Sequence, residues 1–263
     1  MILKVIAYAR NGHTDKFGIP RQSREKSPIV TRIVFEPEYS VAEAFRGIEG
    51  YSHLWLIWGF SENRAQNTDR FTDRAQTDHD WSPTVRPPRL GGNKRMGVFA
   101  TRSPFRPNPI GLTSVRLLGV RRNEKLIIND CELSPANSKG NRLELLVSGA
   151  DLMDGTPIYD IKPYLSFSDS HEDARNGFAD EMKDYRLEVV WEAELPVLTS
   201  LKPDDLSKTD REWVEEAEYI LSQDPRPAYQ DDPTREYKLD YRGYTVTFVV
   251  EGERVVVKKI QKM

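Results

Sequence analysis

The sequence predicts a mainly β protein, a barrel followed by a small α+β unit. Short β-branched and aromatic runs, bounded by Gly, Pro and polar clusters, fill the first two thirds of the 263 residues. A single short helical pattern interrupts them. That leaves no crossover helices for a parallel sheet and favours a closed or nearly closed barrel. After a polar stretch at residues 166–184 the pattern changes to strand, helix and hairpin. These observations divide the chain into a barrel domain at 1–166, a linker at 167–184 and a small domain at 185–263.

Ile2-Leu3-Lys4-Val5-Ile6 opens a strand over residues 3–9, and alternation from Ile29 to Phe35 gives a second. Residues 42–48 read as a helix with Ser40 as its N-cap. The aromatic run from His53 to Phe60 is a third strand, and further strands are expected at 97–100, 113–120, 125–133 and 142–150. Residues 62–82 lack apolar periodicity, and so long a stretch inside a domain marks a functional loop. In the second unit a strand is expected at 185–195 and a helix at 210–221, with Thr209 and Glu212 as a capping box. A hairpin then pairs 244–250 with 254–260, turning at Glu251-Gly252.

Hydrophobic residues make up 38% of the chain, with five Trp and ten Phe, enough for a real core. A mean hydropathy of −0.62 reflects long polar loops. One cysteine, Cys131, excludes an internal disulfide framework and points to a reducing cytoplasm; it reads as a packing residue. No apolar run is long enough for a signal peptide core or a membrane span, so neither export nor membrane insertion is expected.

Charge is distributed unevenly. The net charge is −3, yet residues 81–123 hold nine cations and no Asp or Glu: Arg86, Arg89, Lys94, Arg95, Arg102, Arg106, Arg116, Arg121 and Arg122. Residues 203–232 hold ten acids against three Lys or Arg. A local basic face on a mildly acidic protein fits a polyanion docking on one side. Within it, Thr101-Arg102-Ser103-Pro104-Phe105-Arg106-Pro107-Asn108-Pro109 is a turn stiffened by three prolines. It presents two guanidinium forks suited to an anion. The plain alternative, a proline-rich surface loop with solvated arginines, is weakened by the one-sided charge around it. A second stiff arginine loop, Gln223-Asp224-Pro225-Arg226-Pro227-Ala228-Tyr229, follows the acidic helix, which suggests a cleft between the two units.

The motifs of P-loop, Rossmann, zinc-protease, dithiol and nucleophile-elbow enzymes are missing. With four His and one Cys, no metal site is expected. His13 reads as an incidental loop residue, His53 as a core-edge one; His79 and His171 carry no signal. Asp151-Leu152-Met153-Asp154-Gly155-Thr156-Pro157 reads alone as an ordinary turn, running on into Ile158-Tyr159-Asp160-Ile161-Lys162-Pro163-Tyr164.

Taken together, the runs Gly97–Leu112, Asp154–Tyr164 and Gln223–Tyr229 resemble the TsaA-like (YaeB/TrmO) family of tRNA adenine-37 N6-methyltransferases, along essentially the whole chain. The resemblance implies a β-barrel that binds S-adenosylmethionine without a Rossmann fold and works as a homodimer. It implies methyl transfer to N6 of threonylcarbamoyladenosine at position 37 of threonine-accepting tRNA. By family motif the cofactor site would be built from Pro20, Arg21, Gln22, Ser61, Glu62, Arg102, Leu112, Leu152, Met153, Asp154 and Gly155. Relatives often carry a His after the strand-ending Phe, where this chain has Ser61-Glu62 and a longer polar insertion.

For such a donor, Arg102 or Arg21 suits the carboxylate, backbone groups of residues 152–155 the adenine edge, and Leu112 its face. The acceptor N6 is urea-like and needs its proton removed. Asp160 and Tyr164 are the candidates for that role, with Lys162 or Arg106 touching the modified base or a phosphate. Arg86, Arg89, Lys94, Arg95, Arg106 and Arg226 would grip the anticodon stem-loop, with affinity falling steeply in salt. The competing readings are a non-catalytic RNA-binding barrel and a methyltransferase acting on a small molecule or protein.

Overall fold

A computed structural model describes residues 2–14, 18–19, 27–60, 81–87, 94–122, 125–126, 142–182, 185–192, 208–226 and 232–263. Pro20, Arg21, Gln22, Ser61, Glu62, Arg89 and Cys131 lie outside these residues, as does most of the loop expected at 62–82.

The first unit is built on six strands: β1 (Ala7–Arg10), β2 (Val30–Phe35), β3 (His53–Gly59), β6 (Ile110–Arg122), β8 (Leu143–Ser148) and β9 (Pro157–Pro163). They pair antiparallel in the order β3-β9-β1-β2-β8-β6, and β6 pairs back onto β3 from His53↔Arg116 to Gly59↔Ile110, closing the barrel. Short strands complete the unit: β4 (Thr84–Val85) pairs with β5 (Met96–Gly97), and β7 (Lys125–Leu126) extends the edge of β6. Period-two alternation directs one face of each strand inward. Thr31, Ile33 and Phe35 point in from β2, Leu54, Leu56 and Trp58 from β3, Val115 and Leu117 from β6, and Leu145 and Val147 from β8.

The second unit is a four-stranded sheet, ordered β10 (Glu188–Trp191), β13 (Arg254–Lys262), β12 (Tyr244–Glu251), β11 (Tyr237–Tyr241). β10 runs parallel to β13 and the remaining pairs are antiparallel. Helix α2 (Lys208–Leu221) contributes Ile220 and Leu221 to a core shared with Leu239, Tyr241, Val246, Phe248 and Val257. That core is separate from the barrel's.

Several expected elements differ. Residues 42–48 form two 3-10 turns, Ala42–Phe45 and Ile48–Gly50, because Gly47 between them sits at φ +86. Ser40 caps neither; its hydroxyl accepts the Leu143 amide at 2.7 Å and ties the turn to β8. The first strand starts at Ala7, and the expected 97–100 strand is only Met96–Gly97 before a 3-10 turn at Val98–Ala100. The 166–184 stretch carries a one-turn helix, α1 (Ser166–Asp169), and a 3-10 segment at Gly177–Met182. Helix α2 begins at Lys208, so Thr209 lies inside its first turn instead of capping it. β9 and β11 were not anticipated.

Candidate active site

Antiparallel closure gathers three connections at one rim of the barrel. β1 ends at Arg10 beside the start of β2, and β2 begins opposite Ser148, the end of β8. The start of β6 at Ile110 pairs with Gly59 at the end of β3, and Trp58 pairs with Ile158 at the start of β9. The connections at 11–29, 60–109 and 149–156 therefore leave and re-enter the barrel at the same end. Those three segments contain every residue expected to hold the cofactor except Leu112, which sits two residues into β6.

Polar contacts lock the rim together. Asp154 accepts the Asn11 amide at 3.0 Å and a hydrogen bond from Arg10 Nη1 at 3.2 Å. Asn11 Nδ2 donates to the Leu152 carbonyl at 2.9 Å and to Thr31 Oγ1 at 3.2 Å. The Asp154 amide donates to the His13 carbonyl and the Gly155 amide to the Ala9 carbonyl, both at 2.9 Å. Those two amides thus build the rim, and Gly155 takes φ +80 to make the turn. Leu152 is 1% exposed and belongs to the barrel core, so only its backbone faces the rim. On the opposite wall Trp58 Nε1 donates to Thr113 Oγ1 at 3.0 Å, and Thr113 donates to Asp151 Oδ1 at 2.7 Å, anchoring residues 149–156 to β6.

The arginine turn separates its two guanidinium groups. Arg106 donates from Nη1 to the Thr101 and Ser103 carbonyls at 3.2 and 3.1 Å, bracing the turn from within. Arg102 is exposed. Phe60 donates its amide to the Pro109 carbonyl at 3.0 Å, which binds the turn to the end of β3. Arg86, Lys94 and Arg95 are exposed around the small β4–β5 hairpin, Arg95 with Nη1 on Thr84 Oγ1 at 3.1 Å. Arg121 belongs to no face. It is 5% exposed and paired with the buried Glu144, which also accepts Arg32 at 2.8 Å. Burial alone would raise the Glu144 carboxyl, but hydrogen bonds from Arg32 and Arg121 hold it below the ordinary value. Arg226 is also engaged, donating from Nε to Asp224 at 2.8 Å with its side chain 12% exposed.

The outer wall beside the rim carries the remaining candidates. Cross-strand partners point to one face, so Leu112↔Ile57↔Asp160 forms an outward row across β6, β3 and β9. The next row is Ser114↔Trp55↔Lys162. Two strand spacings put Asp160 about 10 Å from Leu112. Asp160 accepts the Ile161 amide at 2.9 Å and pairs with Lys162 Nζ at 3.0 Å, both side chains half exposed or more. Tyr164 is not brought to the rim. Its amide donates to the His53 carbonyl at 3.0 Å and its ring packs 5.5 Å from Trp55, at the start of β3. The length of β3 leaves it about 20 Å from the rim.

His13, read from sequence as incidental, is 1% exposed, and neither ring nitrogen has a hydrogen-bond partner among the described residues. Burial pushes its pKa down to about 4, so the imidazole is neutral. Arg10 and Asn11 were also missed; a polar pair placed directly after a strand was the available signal. Among the described residues no cluster of three or more His, Cys, Asp or Glu is placed to hold a metal. No helix there is long and apolar enough to cross a membrane.

A family model described as the tRNA-methyltransferase O N-terminal domain matches residues 8–170, and the TrmO C-terminal domain model matches residues 184–263. A tRNA (adenine(37)-N6)-methyltransferase of Eikenella corrodens is 40% identical over 210 residues, 80% of this chain and 97% of the relative. A putative S-adenosylmethionine-dependent methyltransferase, RcsF, of Pseudomonas aeruginosa is 36% identical over 233 residues, 88% of this chain and 85% of the relative. A crystal structure of TrmO from Pseudomonas aeruginosa superposes with a TM-score of 0.65 at 27% identity, over 99% of this chain and 98% of that one.

Proposed function

The chain belongs to the tRNA-methyltransferase O family, and from that membership we propose that its three-loop rim binds S-adenosylmethionine for methylation of tRNA. Its activity is that of a tRNA adenine-37 N6-methyltransferase. The acceptor in this reading is N6 of threonylcarbamoyladenosine in threonine-accepting tRNA. The observation that carries it is that β1, β3 and β8 end, and β2, β6 and β9 begin, at one end of the barrel.

The residues present suit the donor's chemistry. Arg102, exposed on a braced turn, offers a bidentate fork to a carboxylate. Leu112, 56% exposed, offers an apolar surface to a purine face. Asp154, its carboxylate held by Arg10 and Asn11, fixes the turn that Met153 and Gly155 line. Pro20, Arg21, Gln22, Ser61 and Glu62 enter this reading from the sequence alone, since they lie outside the described residues. The donor supplies an electrophilic methyl group, and the protein's task is alignment of the acceptor nitrogen with it.

Asp160 is the proton acceptor in this reading, with Lys162 Nζ 3.0 Å away to orient the carboxylate. It stands in the same outward row as Leu112, within the span of a methionine–adenosine ligand. Tyr164, farther along the wall, contacts RNA instead of the reacting atoms. Arg86, Lys94 and Arg95 meet backbone phosphates, together with Arg89, so affinity falls as salt rises. Arg106 and Arg226 act by holding their loops in shape. Cytoplasmic location and a homodimer belong to the same reading.

The test is methyl transfer from labelled S-adenosylmethionine to threonine tRNA bearing the hypermodified adenosine, with mass analysis of position 37. Asp160→Asn is expected to lower turnover roughly a hundredfold while leaving donor affinity nearly unchanged. Full turnover in that variant removes Asp160 from the chemistry. Tight tRNA binding without any transfer by the wild-type chain returns the reading to a non-catalytic RNA-binding barrel.

A further inference from the structure

The connection between β1 and β2 is shaped by the C-terminal unit as much as by the barrel. A Cβ on Gly12 would stand 2.5 Å from Arg242 Cγ and 2.9 Å from Tyr241 Cε2. One on Gly18 would stand 2.6 Å from Leu239 Cδ1. At both glycines the backbone lies against side chains of β11 and the residue that follows it. At the far end of the connection Ile29, 3% exposed, packs into the C-terminal core and not into the barrel's. Between these points the His13 ring lies 5.5 Å from the Tyr241 ring, while the His13 carbonyl accepts the Asp154 amide. One residue therefore touches both the C-terminal sheet and the turn at residues 149–156.

The surface that meets the connection is itself rigid. Arg242 at φ +45 and Gly243 at φ +82 form a tight two-residue hairpin turn between β11 and β12. Tyr241 donates its hydroxyl to Glu216 at 3.0 Å, and Arg242 donates to the same carboxylate at 2.6 Å. Glu216 is 9% exposed on α2, so the hairpin tip is fixed to the helix.

We propose that the Tyr241–Arg242 hairpin tip is a positioning element for the methyl-donor site, coupling docking of the C-terminal unit to donor binding. This rests on the reading that the turn at 149–156 helps to hold the donor. A turn left unbraced loses conformational entropy when a ligand orders it. Braced through Gly12 and His13 against the hairpin tip, the turn is ordered beforehand, and donor affinity includes the strength of that docking. Linkage is reciprocal, so donor binding tightens the docking by the same factor.

Gly12→Ala in the full chain tests this, because the added methyl meets only Tyr241 and Arg242 within 3.1 Å. S-Adenosylhomocysteine is the probe, titrated by calorimetry. The variant is expected to bind it about tenfold more weakly than wild type. In wild type the probe is expected to slow amide exchange along Tyr237–Tyr241, and in Gly12→Ala that protection is lost. Should Gly12→Ala fail to fold, Arg242→Gly suits the left-handed turn, removes the tip's side chain and is expected to weaken binding about threefold. A purely structural role lowers the melting temperature without moving either readout. Unchanged affinity in the folded variants, or exchange in wild type indifferent to the probe, overturns the coupling. A wild-type chain that does not bind S-adenosylhomocysteine overturns the donor reading first, and the coupling with it.

Discussion

Glu144 and Arg121 form the one buried ion pair of the barrel wall among the described residues. Arg32 makes the second hydrogen-bonded contact to the same carboxylate. Glu144→Gln leaves the Arg121 guanidinium, 5% exposed, facing a neutral amide. Removing one partner of such a pair costs about 3–5 kcal/mol, mostly from the charge left behind. Urea denaturation at neutral pH should show a loss of that order, and a loss below about 1 kcal/mol would mean the site is effectively solvated. Nothing in the sequence separates Arg121 from Arg102, since both fall in the same acid-free stretch. Their different fates come from the β6–β8 register, which sets Arg121 opposite Glu144, whereas Arg102 lies exposed on the turn before β6. The cationic stretch was legible; the division of its members into braces, core pairs and exposed forks was not.

Strand alternation was the legible part at the scale of elements, and it placed β2, β3, β6 and β8. β9 escaped because Pro157, Asp160, Lys162 and Pro163 dilute its apolar signal, and pairing on both sides makes it a strand regardless. The segment at 42–48 misled in the opposite sense, since helix formers there are cut by Gly47 in a left-handed conformation. The glycine of the Pro109-Ile110-Gly111-Leu112 run has a reason visible only in three dimensions. A Cβ on Gly111 would lie 2.2 Å from Trp58 Cε2. Gly111→Ala must push the indole aside and strain its bond to Thr113, which in turn holds Asp151. Overpacking of this kind costs about 1–3 kcal/mol. Thermal unfolding of Gly111→Ala should show that loss, with weaker S-adenosylhomocysteine binding because residues 149–156 lose their anchor on β6. A variant with unchanged melting temperature would mean that Trp58 moves freely, against its 8% exposure in the barrel core.

At the scale of the whole molecule, the two arginine loops suggested a cleft between a basic and an acidic region, but no motif pointed to His13 as a contact between barrel and C-terminal sheet. The ring is held against Tyr241 with its neutral form favoured by burial. Its charged neighbours there are Arg242 and Glu216, already paired with each other, and Asp154, already bonded to Arg10 and Asn11. No carboxylate among the described residues is therefore placed on the ring to stabilise a proton. The folded pKa of about 4 lies below the ordinary 6.5, so the unfolded chain takes up the proton first. The stabilising contribution is complete above pH 6.5, declines as acid is added and is exhausted below about pH 4. Glu144, held below its ordinary value, loses its own contribution lower in the acid range, so the upper part of the window reports His13. Between pH 7 and pH 5 the wild-type chain should lose about 2 kcal/mol more than His13→Leu, which keeps the backbone bond to Asp154. Equal slopes in the two proteins would mean that water or a carboxylate reaches the ring. A steeper wild-type slope, accompanied by faster amide exchange at Tyr237–Tyr241 in mild acid, would place the first break of the molecule between its two units.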